Sequence, residues 1–268
     1  MVYWLLNLPI LWMSVVILGA IYAFTAGVYL TITALAVGER ARAFKAISPG
    51  MLPPLSVIFA LLVAFLASQD WGNAEKATAA VNREASAIRA VDLLADAFPD
   101  DVHARLAELI RRHVEQAVDQ EWPAMAQGNA TLTLAPPGLV EALKLALSLQ
   151  PTTPGQIAAQ REMVTALGSA LDARRQRVIL SQSSINWVKW SAILIQAALM
   201  LVAIAMVHCD NRTANRIILT IFATGAGVAI VLVLSHSHPF SGEISVRPTV
   251  LLQVVPEAKG DHAAPGSR

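Results

Sequence analysis

Four apolar runs divide the chain and predict two membrane hairpins. The first run, Leu8–Val37, contains no charged side chain, and a shorter run follows at Leu55–Ser68. Trp190–Val207 and Ile217–Leu234 each hold 18 uncharged residues. A helix of that length crosses a hydrocarbon core of roughly 30 Å at about 1.5 Å per residue. The pattern therefore predicts an all-α integral membrane protein with four spans.

The segment between the hairpins is polar and has the periodicity of helices. Apolar residues fall near heptad spacing on its first helix, interrupted by Glu84, at Ala77, Val81, Ile88, Val91, Ala95 and Phe98. A second helix is predicted from Val102 to Gln120 or beyond, a short one at Leu139–Leu149, and a long one after Pro154 that continues without a visible break to Trp187. The predicted organisation is a hairpin (1–71), a helical extramembrane domain (72–184), a second hairpin (185–237) and a C-terminal segment with a flexible tail (238–268).

Composition supports the membrane assignment and removes several functional classes. Of the 268 residues 55% are hydrophobic and only 15% are charged, with a mean hydropathy of +0.53, which is too apolar for an ordinary soluble protein. The 20 basic residues nearly balance the 19 acidic ones, so no nucleic-acid partner is indicated. Cys209 is the single cysteine, which excludes an intrachain disulfide and a cysteine-rich metal site.

Charge in the short loops predicts the orientation. Arg40, Arg42 and Lys45 lie in the first hairpin loop, and Arg212 and Arg216 lie in the second. Positively charged loops favour the cytoplasmic side. The chain is therefore expected to be a multi-pass inner-membrane protein with the helical domain and both termini on the outer side. Four tryptophans would mark that outer face: Trp4, Trp71, Trp187 and Trp190.

Polar and small residues within or beside the spans are the candidates for a conducting path. Polar groups at membrane depth usually face the protein interior or water. The pore-lining candidates are Gln196, Thr220, Thr224, Gly225, Gly227 and, at the end of the second span, Asp70. Gly19, Ala23 and Gly27 form a stripe on which another helix can pack closely, and packing within the monomer is favoured over subunit contact.

The histidines and carboxylates give no support for a metal site or an enzyme. His208 and Cys209 end the third span, whereas His236 and His238 end the fourth, so antiparallel spans place the two groups roughly 30 Å apart. His103 and His113 are predicted to be surface residues. Glu84 and the nearby acidic residues are interpreted as a solvated helix face. No catalytic motif is recognisable, so no catalytic residue, metal or cofactor is predicted.

Three strings give the chain a family resemblance: Val81–Ile88 (VNREASAI), Glu121–Met125 (EWPAM) and His238–Val246 (HPFSGEISV). With the two hairpins around a helical insert, they resemble a bacterial family described as a bestrophin-like domain of unknown function. Ser237 stands where that family has an acidic residue. The motif residues are Glu84, Trp122, Pro123, His238, Pro239, Phe240 and Gly242.

The resemblance implies a likeness to bestrophins, which are oligomeric anion channels with a cytosolic helical domain. That domain placement is opposite to the one predicted from loop charge. The first functional hypothesis is a homo-oligomeric, bilayer-embedded channel for small inorganic ions. The alternative is a non-conducting anchor or sensor whose helical domain binds a partner protein.

Overall fold

A computed structural model describes residues 8–47, 49–133, 135–182 and 187–255. These residues form helices and connecting turns, and no strand occurs among them. The helices are α1 (Ile10–Leu35), α2 (Glu39–Lys45), α3 (Leu52–Ala95), α4 (Asp100–Gln116), α5 (Trp122–Ala126), α6 (Pro137–Ser148), α7 (Pro154–Ser181), α8 (Trp187–Val207), α9 (Arg212–His236) and α10 (Thr249–Gln253). A 3-10 turn, Pro49–Met51, precedes α3, and a π-helical turn, Ala117–Glu121, joins α4 to α5.

The chain divides into two compact units. The membrane unit contains Met1–Gly72, Ser184–His238 and Gly242–Ile244. The helical domain contains Asn73–Ser183, Pro239–Ser241 and Ser245–Arg268. The polypeptide after α9 therefore contributes to both units.

The membrane unit contains the four predicted spans, so the four-span helical prediction is confirmed. α1, α8, α9 and the segment Pro49–Ala95 are each long and apolar enough to cross a membrane. α9 packs against both α1 and α8. A Cβ built on Gly227 of α9 would lie 2.5 Å from Leu18 Cδ2, so the missing side chain lets α1 approach closely.

The second span does not end as a separate helix. α3 is one helix of 44 residues, which passes through Asp70 and Trp71 and carries the apolar stripe of the helical domain in its second half. Eight of the 23 residues from Asn73 to Ala95 are alanine, the residue with the highest helix propensity. The change from apolar to polar composition marks the end of the span without interrupting the helix.

The predicted continuous helix from the domain into the third span concerns α7 and α8. α7 ends at Ser181, and the backbone N–H of Gln182 donates to the Ile179 carbonyl oxygen. Residues 183–186, which would join α7 to α8, lie outside the described residues, as does Trp4. At its other end α7 begins at the cap Thr153, whose hydroxyl accepts from the Gln156 N–H at 3.2 Å.

The apolar stripe predicted for the domain's first helix forms its core. Ala77, Val81, Ile88, Val91 and Ala95 are all buried. They join residues of α4, α6 and α7 in one cluster that also includes Phe240 and Leu251 from the C-terminal segment. The segment after the last span is therefore part of the domain core.

Gly138 lies at a close contact between α6 and α4. A Cβ at this position of α6 would lie 2.6 Å from the Leu109 carbonyl oxygen and 3.0 Å from His113 Cβ, both on α4. Because one of these atoms belongs to the backbone, a side chain here can be accommodated only by separating the two helices.

We expect Gly138→Ala to destabilise the full-length protein by about 1–3 kcal/mol, the usual cost of overpacking. Gly168→Ala is the matched control, since a Cβ at that position of α7 meets nothing within 4 Å. The control should be neutral or stabilising, because alanine is the better helix former. Thermal unfolding in detergent micelles, followed by tryptophan emission, compares the two. Equal midpoints would contradict the close approach.

Candidate functional site

Arg177 lies at the centre of a buried charge network in the helical domain. Its side chain, on α7, is completely buried. Nε donates to Glu84 Oε2 at 2.9 Å and Nη2 donates to Glu84 Oε1 at 3.1 Å, which makes a two-point contact. Nη2 also donates to Glu121 Oε2 at 2.9 Å. Two carboxylates from distant parts of the chain thus share one guanidinium.

The outer groups of the network satisfy the remaining charge. His113 Nε2 on α4 lies 2.9 Å from Glu84 Oε1, and both side chains are buried. Arg174, one turn before Arg177, donates from Nε to Glu121 Oε1 at 2.7 Å. Two carboxylates and two guanidinium groups therefore balance in charge, which is the condition under which buried ions are tolerated.

Trp122 connects the network to the C-terminal segment. The Arg177 guanidinium carbon lies 4.5 Å from the centre of the indole ring, a cation–π contact. The indole Nε1 donates to the Val246 carbonyl oxygen at 3.0 Å, and the ring meets Phe240 edge-on at 5.9 Å between centroids. Ser241 Oγ donates to the Ala126 carbonyl oxygen at 2.5 Å. We call residues 239–241 and 245–255 the C-terminal strap.

The three strings that carry the family resemblance therefore converge in one place. Glu84 comes from the first string, Glu121 and Trp122 from the second, and Phe240, Ser241 and Val246 from the third. Arg177, which belongs to none of them, contacts the first two. Residues of the three strings thus form a structural centre that holds the helices of the domain and its strap together.

Two expectations from the sequence are wrong here. Glu84 is not solvated and His113 is not on the surface, since their relative exposures are 0% and 1%. The periodicity contained the signal: Glu84 occupies a position of the apolar stripe between Val81 and Ile88, and His113 lies between Ile110 and Val114 on the buried face of α4. Both positions point inward whatever residue occupies them.

Sequence reasoning also missed the two arginines. Arg174 and Arg177 follow Met163, Leu167 and Ala170 at helical spacing on the buried face of α7. A basic pair that continues an apolar stripe indicates buried partners of opposite charge, which Glu84 and Glu121 supply. His103 is another paired group, with Nε2 3.3 Å from Asp92 Oδ1 and a side chain that is 13% exposed.

The electrostatics favour an ionised Glu84. This residue belongs to the polar half of α3, within the helical domain. Burial alone raises its pKa, but Arg177 and the hydrogen bond from His113 together outweigh burial and hold the pKa of Glu84 below its ordinary value of 4.5. At the end of the membrane unit, burial lowers the pKa of His238.

The pore candidates fall into two groups in the membrane unit. Gln196 Nε2 donates to the Leu55 carbonyl oxygen at 3.1 Å and so joins α8 to α3. Gly227 is buried against Leu18 of α1. It therefore contributes to helix packing and, contrary to the prediction from the sequence, does not line a water-filled path in this unit. Thr220, Thr224 and Gly225 are exposed on α9.

Thr224 has hydrogen-bond partners within the chain, and the residues on either side of Asp70 contact the third and fourth spans. Thr224 Oγ1 donates to the Thr220 carbonyl oxygen at 2.7 Å and shares a hydrogen bond with the Tyr22 hydroxyl at 2.8 Å. Asp70 is partly buried at the end of the span portion of α3. Its neighbour Gln69 accepts a hydrogen bond from Lys189 Nζ. Its other neighbour, Trp71, meets the His236 ring edge-on at 6.2 Å.

The small-residue stripe of α1 does not pack within the monomer as expected. Gly19, Ala23 and Gly27 are all exposed, and a Cβ built on either glycine meets nothing within 4 Å. α1 instead packs through the opposite face, which carries Met13, Ile17 and Ile32. The stripe is available to lipid or to another chain.

Comparisons with known proteins identify the family. A model of the bestrophin-like domain matches residues 19–251, which is most of the chain. The protein belongs to the bestrophin-like domain family. A search of curated proteins gives no match.

Solved structures agree with the family at the level of fold. A crystal structure of a single-substitution variant of a bacterial bestrophin homologue from Klebsiella pneumoniae superposes with a TM-score of 0.69 at 11% identity, covering 87% of this chain and 96% of that one. A second variant of the same homologue gives 0.67 at 9% identity over 90% and 97%. A crystal structure of a single-substitution variant of a membrane protein gives a TM-score of 0.63 at 12% identity over 89% of this chain and 99% of that one. This bestrophin-like chain therefore shares their fold over nearly its whole length.

Removing one partner of the buried pair should destabilise the domain strongly. Arg177→Met leaves Glu84 buried with His113 as its one remaining hydrogen-bond partner among the described residues, and we expect a loss of about 3–5 kcal/mol. The double variant Glu84→Leu with Arg177→Met should lose much less, because neither charge remains. Arg111→Met is the control: its pairs with Glu108 and Glu115 are on the surface, where solvent screens them and their loss should change stability little. Denaturant unfolding of the full-length protein gives the double-mutant cycle, and additive losses would contradict the coupling.

Acid should weaken the same network. The unfolded Glu84 takes up a proton near its ordinary pKa, whereas the folded one stays ionised to a lower pH, so the stabilisation is present above that ordinary value and is lost as pH falls through the lowered pKa. Between about pH 6 and about pH 3, the unfolding midpoint of the wild type should fall more steeply than that of the Glu84→Leu, Arg177→Met double variant. Parallel pH profiles would show that Glu84 is not the responsible carboxylate.

Proposed function

We propose that this bestrophin-like membrane protein is a homo-oligomeric ion channel whose conducting path lies between subunits. The observation that carries the proposal is the shared fold with bacterial bestrophin homologues over nearly the whole chain. Family membership supports a channel-like membrane protein and gives no positive support to an enzyme. The proposal includes that the conducted ion is an anion.

The membrane unit supports a path between copies over one within a single chain. In the most apolar stretch of 18 residues within Pro49–Ala95, only 11% is buried inside the chain. The corresponding share for α1 is 17%. The polar side chain Gln196 is used for helix pairing inside the unit. A ring of identical chains needs only one suitable face from each to enclose a path.

Two exposed faces can line that path. The α9 face presents Thr220, Thr224 and Gly225, to which Asp70 at the end of the α3 span is added. The α3 face presents large apolar side chains, with Leu61 and Phe65 each 65% exposed. The α3 face is the first choice because its span is the least covered by its own chain, and a ring of apolar side chains can gate by dewetting.

The proposed orientation follows loop charge. Both short loops face the cytoplasm of a cell with this protein in its inner membrane, and the helical domain and termini face outward. Cys209 lies in the loop between α8 and α9. As the single cysteine of the sequence, it reports directly on the location of that loop.

The purified oligomer, reconstituted in liposomes, should release chloride in preference to potassium. In a Cys209→Ala background, a thiol reagent should reduce flux through the Leu61→Cys and Phe65→Cys variants. Leu199→Cys is the control and should keep its flux, because Leu199 is also an exposed apolar residue but lies on α8, which is neither of the two proposed lining faces. Block at Thr224→Cys alone would move the lining to α9. In intact cells, a membrane-impermeant thiol reagent should not label Cys209 of the wild type. Labelling would contradict the proposed orientation and place this loop on the outer side.

Absence of flux for both ions at several pH values would overturn the channel and leave the anchor or sensor. One feature of the helical domain favours that second function: Leu93, Leu147 and Ile157 are large apolar side chains that are at least half exposed. An apolar surface can receive a partner protein. Capture of a defined partner by wild type, with loss in Leu147→Glu, would then be the observation that supports it.

A further inference from the structure

An apolar cavity lies among three spans of the membrane unit. It has a volume of about 390 Å³ and is bounded by α1, α8 and α9. Alanines form much of its wall, at Ala20, Ala197, Ala198 and Ala226. Three larger wall residues, Phe24, Leu194 and Ile195, are half exposed, so the cavity opens sideways on the surface that faces the bilayer.

The chemistry of the cavity excludes water as its occupant. All of its wall residues are alanine, isoleucine, leucine or phenylalanine, so no side chain can bind water. Apolar cavities without polar partners stay dry. The cavity therefore requires an apolar occupant from the surroundings.

The position of the cavity matches the reach of one lipid tail. Trp187, Leu194, Ala198 and Leu201 lie on one stripe of α8, because they are separated by seven, four and three residues. Trp187 begins α8 and is 76% exposed, as expected for a tryptophan at the headgroup level. Ala198 is eleven residues further along, about 16 Å at about 1.5 Å per residue. That is close to half of a hydrocarbon core of roughly 30 Å.

We propose that this cavity is a binding site for one acyl chain of a membrane phospholipid. The tail runs along the α8 stripe from Trp187 and ends among the alanines near the middle of the bilayer. A helix of a second copy, about 10 Å or more in diameter with its side chains, is too wide for a cavity of this volume. The site does not depend on whether the protein conducts ions.

Lipid retention by the intact oligomer tests the site. The full-length protein is purified through a stringent detergent exchange, and bound phospholipid is counted per chain by native mass spectrometry. We expect wild type to retain phospholipid and Ala198→Phe, which fills the cavity, to lose it. Ala192→Phe is the matched control, since Ala192 is exposed on the same helix and lies outside the cavity. Ala198→Leu repeats the test with a smaller side chain if the first variant fails to fold.

Thermal unfolding gives a second readout. Phospholipid added back to delipidated protein should raise the midpoint of wild type and Ala192→Phe, because a ligand stabilises the state that binds it. It should leave the midpoint of the Ala198 variants unchanged. Equal lipid retention by Ala198→Phe and wild type would overturn the proposal, as would a wild type that retains none. Loss of the oligomer in the Ala198 variants with lipid unchanged would also overturn it, and would assign the cavity to a side chain of a second copy.

Discussion

The buried contact between Arg177 and Glu84 is the interaction on which the helical domain depends. Removing two charges from water costs several kcal/mol per ion, and attraction offsets this only when the geometry is good and other hydrogen bonds are satisfied. Here both Glu84 oxygens accept from the guanidinium, His113 adds a third contact, and the Trp122 ring covers the cation. Each partner lies on a different element, so the complete set of contacts forms only when α3, α4, α5 and α7 are correctly assembled.

The same requirement makes the residues of this network harder to replace than those of the surrounding hydrophobic core. A hydrophobic core tolerates many substitutions of similar volume. A bidentate arginine contact, an indole N–H aimed at one carbonyl and a cation above one ring do not, because each depends on a specific geometry. Glu121 and Trp122 therefore hold elements of the domain together, through their contacts with Arg177 and Val246.

The sequence predicted the parts of the fold that depend on periodicity. Spans and apolar stripes follow from the burial of one face, which is why Val81, Ile88 and Val91 were placed correctly. It failed where a residue's type opposed its position. Glu84 and His113 are polar, and local reasoning therefore assigned both to solvent. In the fold, Glu84 pairs with Arg177, 93 residues further along the chain, and with His113, 29 residues further along. The packing of Gly227 was missed because Leu18, which lies against it in the fold, is far away in the sequence. Long-range pairs cannot be obtained from local spacing.

The C-terminal strap sets the order in which the domain can be completed. Phe240 and Leu251 belong to the same core as α3, yet they follow the last span in the chain. Trp122 cannot donate its indole N–H to Val246 until α9 has been made. A buried tryptophan without a partner for this group is destabilised. The domain core therefore closes only after the fourth span is synthesised, so the helical domain, although inserted in the middle of the chain, cannot reach its final packing before then.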